Sequence, residues 1–558
     1  MQSRPVSSPS CRPRILALIL LLAGSVASGV ALAAVWPNPV WRTATPESQG
    51  MDSALLEQGS QYSLSGGGSG MIVRHGFLVY SWGSLTTRYP IRSATKSFGA
   101  TTLGLAIKDG RVTLAGKAQS YFAGIGVPPD SNIATGWLGD ITMMNLATHT
   151  AGFDKPGGYT ALLFKPGTEW GYSDGGADWL PDVLTTRYNR DLYKVMNARV
   201  FTELGIHSTD LYWRSNKYRS DTLNGVKRRE FGSGISADVD AMARLGLLYL
   251  RDGVWAGTRI LPSSYVEQVR TAPALPARLP VTNPTEYPAA TSHYGLLWWN
   301  NADGRIPDVP TDAYWAWGLG DNLIIVIPSL DVVVARAGDD FSRTTDTRAL
   351  DPFLGPIVAS TQIPSSQAAS GAEEAADHDL TGKAMFANAA PVVSAGAGQT
   401  VVLPQNTITV VDPAAPPTKM TAVEAVSTEF QQAGVSPERA TWLAFSPAVS
   451  HDDAIATLRV RVAQVNAPGR IEVHRVLGAW DATSLASSVP PPIDPNPAAS
   501  FTVEADDAGL VMETDVSDAV RSWTGDDAAR GFVLTDVTGD VVLATDSALP
   551  SAEIRIDG

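Results

Sequence analysis

Between residues 35 and 360 the spacing of apolar positions changes period several times. The run from Met71 to Trp82 is apolar on both sides of His75-Gly76, which predicts a hairpin turning there. A second hairpin is predicted from Asn322 to Arg336, turning between Pro328 and Asp331. Between them the apolar positions take helical spacing, most clearly from Asp238 to Asp252. Another helix follows Ser93, with Phe98, Leu103, Leu105 and Ile107 as apolar positions and Asp109-Gly110 as its stop. Strands at both ends with helices between them predict an α/β (α+β) fold, an antiparallel sheet flanked by helices. Residues 361–389 open with a run rich in Ser, Ala, Gln and Glu that reads as a linker. Beyond it the signals are short alternating runs, such as Ala456 to Val462 and Ile471 to Val476, broken by Pro and Gly-Asp clusters. These predict an all-β domain, with Pro490 to Pro497 as a loop inside it.

Residues 1–34 read as a signal peptide. Arg4, Arg12 and Arg14 precede an uncharged run from Ile15 to Ala34, and Ala31-Leu32-Ala33 is a cleavage site of small residues. That places the protein outside the cytoplasm, secreted, periplasmic or at the cell surface, with a membrane contact only if the segment stays uncleaved. The single cysteine, Cys11, lies in this segment, so the mature chain carries no disulfide. The 558 residues suggest three or four domains, and 44% hydrophobic content excludes global disorder. Charge divides the chain: residues 1–360 carry 32 basic and 30 acidic side chains, whereas residues 361–558 carry 10 and 26. The switch marks a domain boundary, and the net charge of −14 argues against a nucleic-acid partner.

Two serines compete as nucleophiles. Ser93 and Lys96 are three apart, so a helix projects both from one face. A serine hydroxyl needs a neighbouring base, and a lysine one turn along can serve if its pKa is lowered. Gly171-Tyr172-Ser173-Asp174-Gly175 fits Gly-x-Ser-x-Gly, the strand-to-helix elbow of α/β-hydrolases. The residues before it, Lys165 to Trp170, are turn-like and supply no strand.

Ser93-x-x-Lys96, then Tyr172-Ser173-Asp174, then Trp317-Gly318 resembles the three motifs of serine β-lactamase and penicillin-binding-protein-like hydrolases, in their class C-like and esterase-like branch. Trp41 to Gly50, Leu146 to Phe153, Pro166 to Asp174, Phe231 to Ile235 and Tyr294 to Trp299 look like further landmarks of that family, in order, across roughly 36–360. The resemblance implies acyl transfer through Ser93 without metal or organic cofactor. Tyr172 with Lys96 would take and return the proton. The backbone N–H groups of Ser93 and Leu319 would form the oxyanion hole beside Gly318, and Asp174 and Trp317 would border the substrate. His149 resembles a structural position of the family.

Two departures bear on specificity. An aspartate, Asp174, stands where the β-lactamase pattern has asparagine, which favours a charged Lys96 and moves the base role to Tyr172. Ala316-Trp317-Gly318 stands where β-lactamases have Lys-Thr-Gly, so the group expected to bind a substrate carboxylate is missing unless Arg343 or Arg348 replaces it. Trp170, Trp315 and Trp317 either line an apolar site or belong to the core. The expected reaction is hydrolysis of a small-molecule ester or amide. A D-amino-acid cell-wall peptidase or β-lactamase, and a silent surface-binding protein, are the alternatives.

In the tail, Ala390 to Pro404 resembles the opening of a polycystic-kidney-disease-type β-domain, a partial segment over 390–418. Residues 419–558 resemble a DNRLRE-type β-sandwich module, which implies attachment to cell wall or polysaccharide. The aspartates Asp506, Asp507, Asp515 and Asp518 either ligate Ca²⁺ or form a solvated acidic face. Linker and charge switch together predict that residues up to 360 turn over small substrates without the tail.

Overall fold

The computed structural model describes residues 34–271, 279–342, 344–361, 401–402, 418–430, 438–445, 455–478, 491–523, 531–543 and 552–557. Nearly all of the signal peptide, the linker from 362 on, most of the 390–418 segment and Arg343 lie outside the described residues. Both predicted hairpins form, as Ser69–Arg74 with Phe77–Trp82 and Asn322–Ile327 with Val332–Ala337. Positive φ values at His75, Gly76 and Asp331 make the turns. The hairpins lie side by side through antiparallel pairing of Ser69–Arg74 with Val332–Ala337. Tyr314–Gly318 and the short Trp299–Asn300 extend the sheet to six antiparallel strands.

Both faces of this sheet are covered, which is why its strands read as continuous apolar runs. Val73, Val333 and Ile324 point into one core, and Ile72, Val334 and Ile325 into the other. Helix Val239–Leu250, capped by the Asp238 carboxylate on Ala241 N–H, covers the first face. Gly246 lets it lie close, since a Cβ there would fall 2.6 Å from Val333. Helices Ser53–Leu64 and Asp351–Ser360 pack on the second face. The helix Thr95–Lys108, buried along almost its whole length, crosses the first core and ends at Asp109 and Gly110 as the sequence predicts.

Among the described residues the C-terminal region is built from strands apart from one short helix, Ser517–Arg521, consistent with a β-sandwich. One sheet runs Ala499–Val503, Gly469–Arg475, Gly531–Asp536, Glu438–Phe445 and Thr418–Phe430. The first residues of Thr418–Phe430 also pair with Ala552–Asp557, which leads into the other sheet with Ile455–Ala467 and Val511–Asp515. Leu458, Val473, Phe501 and Phe532 fill the space between.

The second sheet does not stop at the sandwich. Val511 and Met512 pair in parallel with Thr258 and Arg259, on the hairpin Val254–Trp255 and Thr258–Arg259 of the first region. Ile455 joins the core that surrounds the buried Thr95–Lys108 helix. The charge switch along the sequence is a contact in space. Asp507 and Asp506 receive Arg259 at 2.5 and 2.7 Å, and Asp515 receives Arg111 and Arg190 at 3.0 and 3.2 Å. Asp518 pairs with Arg190 as well. All four aspartates considered as calcium ligands or a solvated face pair with arginines of the first region; Asp507 and Asp515 are buried there, whereas Asp506 and Asp518 stay exposed. Among the described residues no cluster could hold a metal ion, and no helix is long and apolar enough to cross a membrane.

Candidate active site

Ser93 sits in the 3-10 turn Arg92–Ala94, which runs directly into the buried helix carrying Lys96. Lys96 is 1% exposed, and its ammonium donates to Ser93 Oγ at 3.2 Å, to Gly232 O at 3.0 Å and to the Asp174 carboxylate. It also lies 4.8 Å from the centre of the Tyr172 ring. Burial works against its charge, but Asp174 and then Tyr172 outweigh it and hold the ammonium above the ordinary lysine range. A lysine in that state donates to the serine and cannot take its proton.

Tyr172 leads the turn that carries Asp174. His149 lies against it at 4.4 Å, while Tyr287 and Trp299 stack on it within 14° of parallel. His149 adopts φ +58° and accepts the Ser173 N–H at 3.2 Å through Nδ1. Burial, and then the charge of Lys96, keep its pKa far below the usual histidine value, so it is a neutral wall of the tyrosine's niche. Ser173 is buried and engaged twice: its hydroxyl donates to Asp154 O at 2.6 Å and accepts Gly176 N–H at 2.8 Å as the cap of helix Asp174–Ala177. No strand precedes it, only an isolated bridge from Trp170 to Val281. The elbow reading therefore lacks both its backbone context and a free hydroxyl.

Strand Tyr314–Gly318 brings its end against the nucleophile turn. A Cβ at Gly318 would fall 2.0 Å from Ile91 O and 2.9 Å from Ala94 N, so only glycine allows the approach. Leu319, next in the chain, is 72% exposed at the mouth of the site. Of the three tryptophans, Trp170 and Trp315 are fully buried core, and Trp317 is half-buried with its indole N–H on Asp321 at 2.9 Å. Ala316 is also fully buried. Arg348, one candidate replacement for the missing lysine, is exposed and paired with Asp346. A cavity of about 320 Å³ opens beside the turn, lined by Tyr89, Arg92, Leu319, Asn322, Asp339 and Asp340 over a floor of glycines.

The structure thus brings Ser93, Lys96, Tyr172, Asp174, Gly318 and Leu319 together, with Trp317 on the same strand. Sequence reasoning did not find the Gly232 carbonyl, the stacked pair Tyr287 and Trp299, or the acidic side of the cavity. Phe231 to Ile235 stood out only as a landmark, because a backbone carbonyl leaves no residue-type signal.

The family model described as Beta-lactamase matches residues 53–354, and the chain belongs to the β-lactamase family of serine hydrolases. No curated protein matches it. Among solved structures it is similar to EstCE1, a hydrolase with promiscuous acyltransferase activity, at 16% identity and TM-score 0.42, covering 57% of this chain and 99% of that one. A penicillin-binding protein homologue from Caulobacter crescentus gives 15% identity and TM-score 0.43 over 57% and 98%. Simvastatin synthase (LovD) from Aspergillus terreus gives 16% and 0.42 over 55% and 98%.

Proposed function

We propose that this protein is an exported esterase or amidase that acylates Ser93 with a small or medium acyl group and releases it to water. The observation that carries the reading is the position of Lys96, bonded at once to Ser93 Oγ, Asp174 and the Gly232 carbonyl. Tyr172, with Lys96 beside it, takes the Ser93 proton while Oγ attacks the carbonyl carbon. The oxyanion draws on the backbone N–H groups of Ser93 and Leu319. The protonated Tyr172 then gives its proton to the leaving alcohol or amine, and water repeats the sequence to free the acid. The C-terminal sandwich, read as a DNRLRE-type module, would serve attachment to cell wall or polysaccharide.

The mouth of the site is unfavourable to a substrate carboxylate. Asp339 and Asp340 line the adjoining cavity, Asp174 stands beside Lys96, and Ala316 replaces the expected lysine. Arg92 is the one cation on the cavity wall among the described residues. Losing one charge-assisted hydrogen bond weakens binding by about 10- to 150-fold. Nitrophenyl acetate is therefore expected to give a higher kcat/KM than nitrocefin or a D-Ala-D-Ala peptide on one preparation. A preference for nitrocefin would refute the esterase reading, and a preference for the peptide would favour a cell-wall peptidase.

A further inference from the structure

One turn beyond Asp174 lies a second carboxylate on the same helical face: Asp178 N–H donates to Asp174 O at 2.9 Å. Asp178 is fully buried. Its Oδ1 accepts the backbone N–H groups of Phe231 and Gly232, both at 2.9 Å, while Oδ2 has no hydrogen-bond partner. Gly232, held in this way by its N–H, is also the residue whose carbonyl receives Lys96. Phe231 locks the same loop to the nucleophile helix, since a Cβ on Gly99 would fall 2.4 Å from its ring. Ile235 N–H, further along, donates to Thr95 Oγ1 at 3.1 Å. Asp174 therefore grips Lys96 directly, and Asp178 grips it through one residue, Gly232.

We infer that Asp178 is a positioning residue for the Ser93 reaction, seating Lys96 through Gly232 and holding it most firmly as the carboxylate. The inference rests on the proposed function. Two backbone donors converge on Oδ1, and both bonds are stronger to a carboxylate than to a neutral acid. Burial pushes the Asp178 carboxyl up to about 7, opposed by Arg219 and by the Gly232 N–H and reinforced by Glu230 and Asp174. Around it, Arg219 donates to the Asp178 carbonyl at 2.9 Å and to Asp182 at 2.7 Å, Arg228 pairs with Asp182, and Arg214 pairs with Glu230. Lys96 faces it across Gly232. Stability and activity have opposite signs at this group. A carboxyl raised on folding stabilises the fold at low pH, and that contribution is lost as pH rises through about 7. Activity is gained over the same range. Loss of activity on acidification is thus not acid unfolding at Asp178.

The test is the rate of fluorophosphonate labelling against pH, with the adduct mapped and folding followed by circular dichroism, for wild type, Asp178→Asn and Glu230→Gln. The wild-type rate is expected to fall as pH drops through neutrality. Asp178→Asn should lose about 10-fold or more at neutral pH, because its neutral amide oxygen accepts the two N–H groups more weakly than a carboxylate does, and should lack the acid limb. Glu230→Gln removes a charge that opposes ionisation of Asp178 and should move the limb to lower pH. A flat wild-type profile, or an acid limb unmoved in Glu230→Gln, overturns the inference. Glu230→Gln decides the matter even where Asp178→Asn does not fold, and a merely structural role would not shift a pH profile. If wild type takes no adduct at Ser93, the hydrolase reading falls and this inference with it. If Ser93 is labelled and the limb stays put, only this inference falls.

Discussion

A hydroxyl already committed to two hydrogen bonds is a poor nucleophile, and that separates the two serines. Ser173 caps a helix and donates to Asp154 O, while Ser93 faces the ammonium of Lys96. Ser93→Ala is expected to abolish fluorophosphonate labelling with the fold intact. Ser173→Ala should keep the label and lose about 1 kcal/mol of stability with its cap. An adduct mapped to Ser173 would overturn the assignment of the nucleophile. The Ser-x-x-Lys spacing is legible in the sequence because a helix fixes which residues share a face. The charge state of Lys96 was half legible: Asp174 was visible, but the burial it must overcome was not.

Among the elements, the decisive contact is between the end of strand Tyr314–Gly318 and the turn that carries Ser93. Gly318 is needed there for space, with Ile91 O only 2.0 Å from where a Cβ would lie. Gly318→Ala must push the strand or the turn aside, which displaces the Leu319 N–H from the oxyanion hole proposed for it. A loss of one oxyanion donor costs about 10²- to 10³-fold in kcat. Gly318→Ala is expected to lose at least that while melting within a few degrees of wild type. Wild-type kcat in this variant would show that the strand end plays no part in the chemistry. The hairpins and the helix from 239 were legible because their apolar periods are strong. Their adjacency, which sets Gly318 beside Ile91, joins residues more than 200 positions apart and leaves no local trace.

For the whole molecule, the structure turns the charge switch along the chain into a contact between its two regions. The acidic tail is not a free appendage, because its carboxylates meet cations of the catalytic region in a buried face. Arg199, fully buried, pairs with Asp109 at 3.1 Å and donates to Glu513 O at 3.0 Å. Lys108, at the end of the nucleophile helix, donates to Arg259 O at 2.8 Å. Burial, and then Arg199, lower Lys108 to about 8, and Glu513, Asp109 and Asp507 act in the opposite direction. Truncation near residue 361 would remove Glu513 and Asp507 and leave these cations facing one another. The truncated chain is expected to be insoluble or inactive even on small esters, as a soluble expression trial and nitrophenyl acetate turnover would reveal. Arg259→Met, which strands buried Asp507, should destabilise by about 3–5 kcal/mol, and Arg259→Met with Asp507→Leu should recover part of it. Equal melting of single and double variants would show that this pair does not hold the interface.

The sequence by itself determined the family, the Ser93–Lys96 spacing, the two hairpins, the helices from 95 and 239, and the strand-rich character of the tail. Each of these is written in a local period or a fixed spacing. Only the tertiary structure decided that Trp170 and Trp315 are core while Trp317 is half-buried with its N–H on Asp321. It alone brought Asp178 to the loop that holds Lys96. It also spent the tail's aspartates on arginines from the other half of the chain. Those outcomes depend on which groups share a buried space, where an unpaired charge is costly, and no spacing along the chain encodes that.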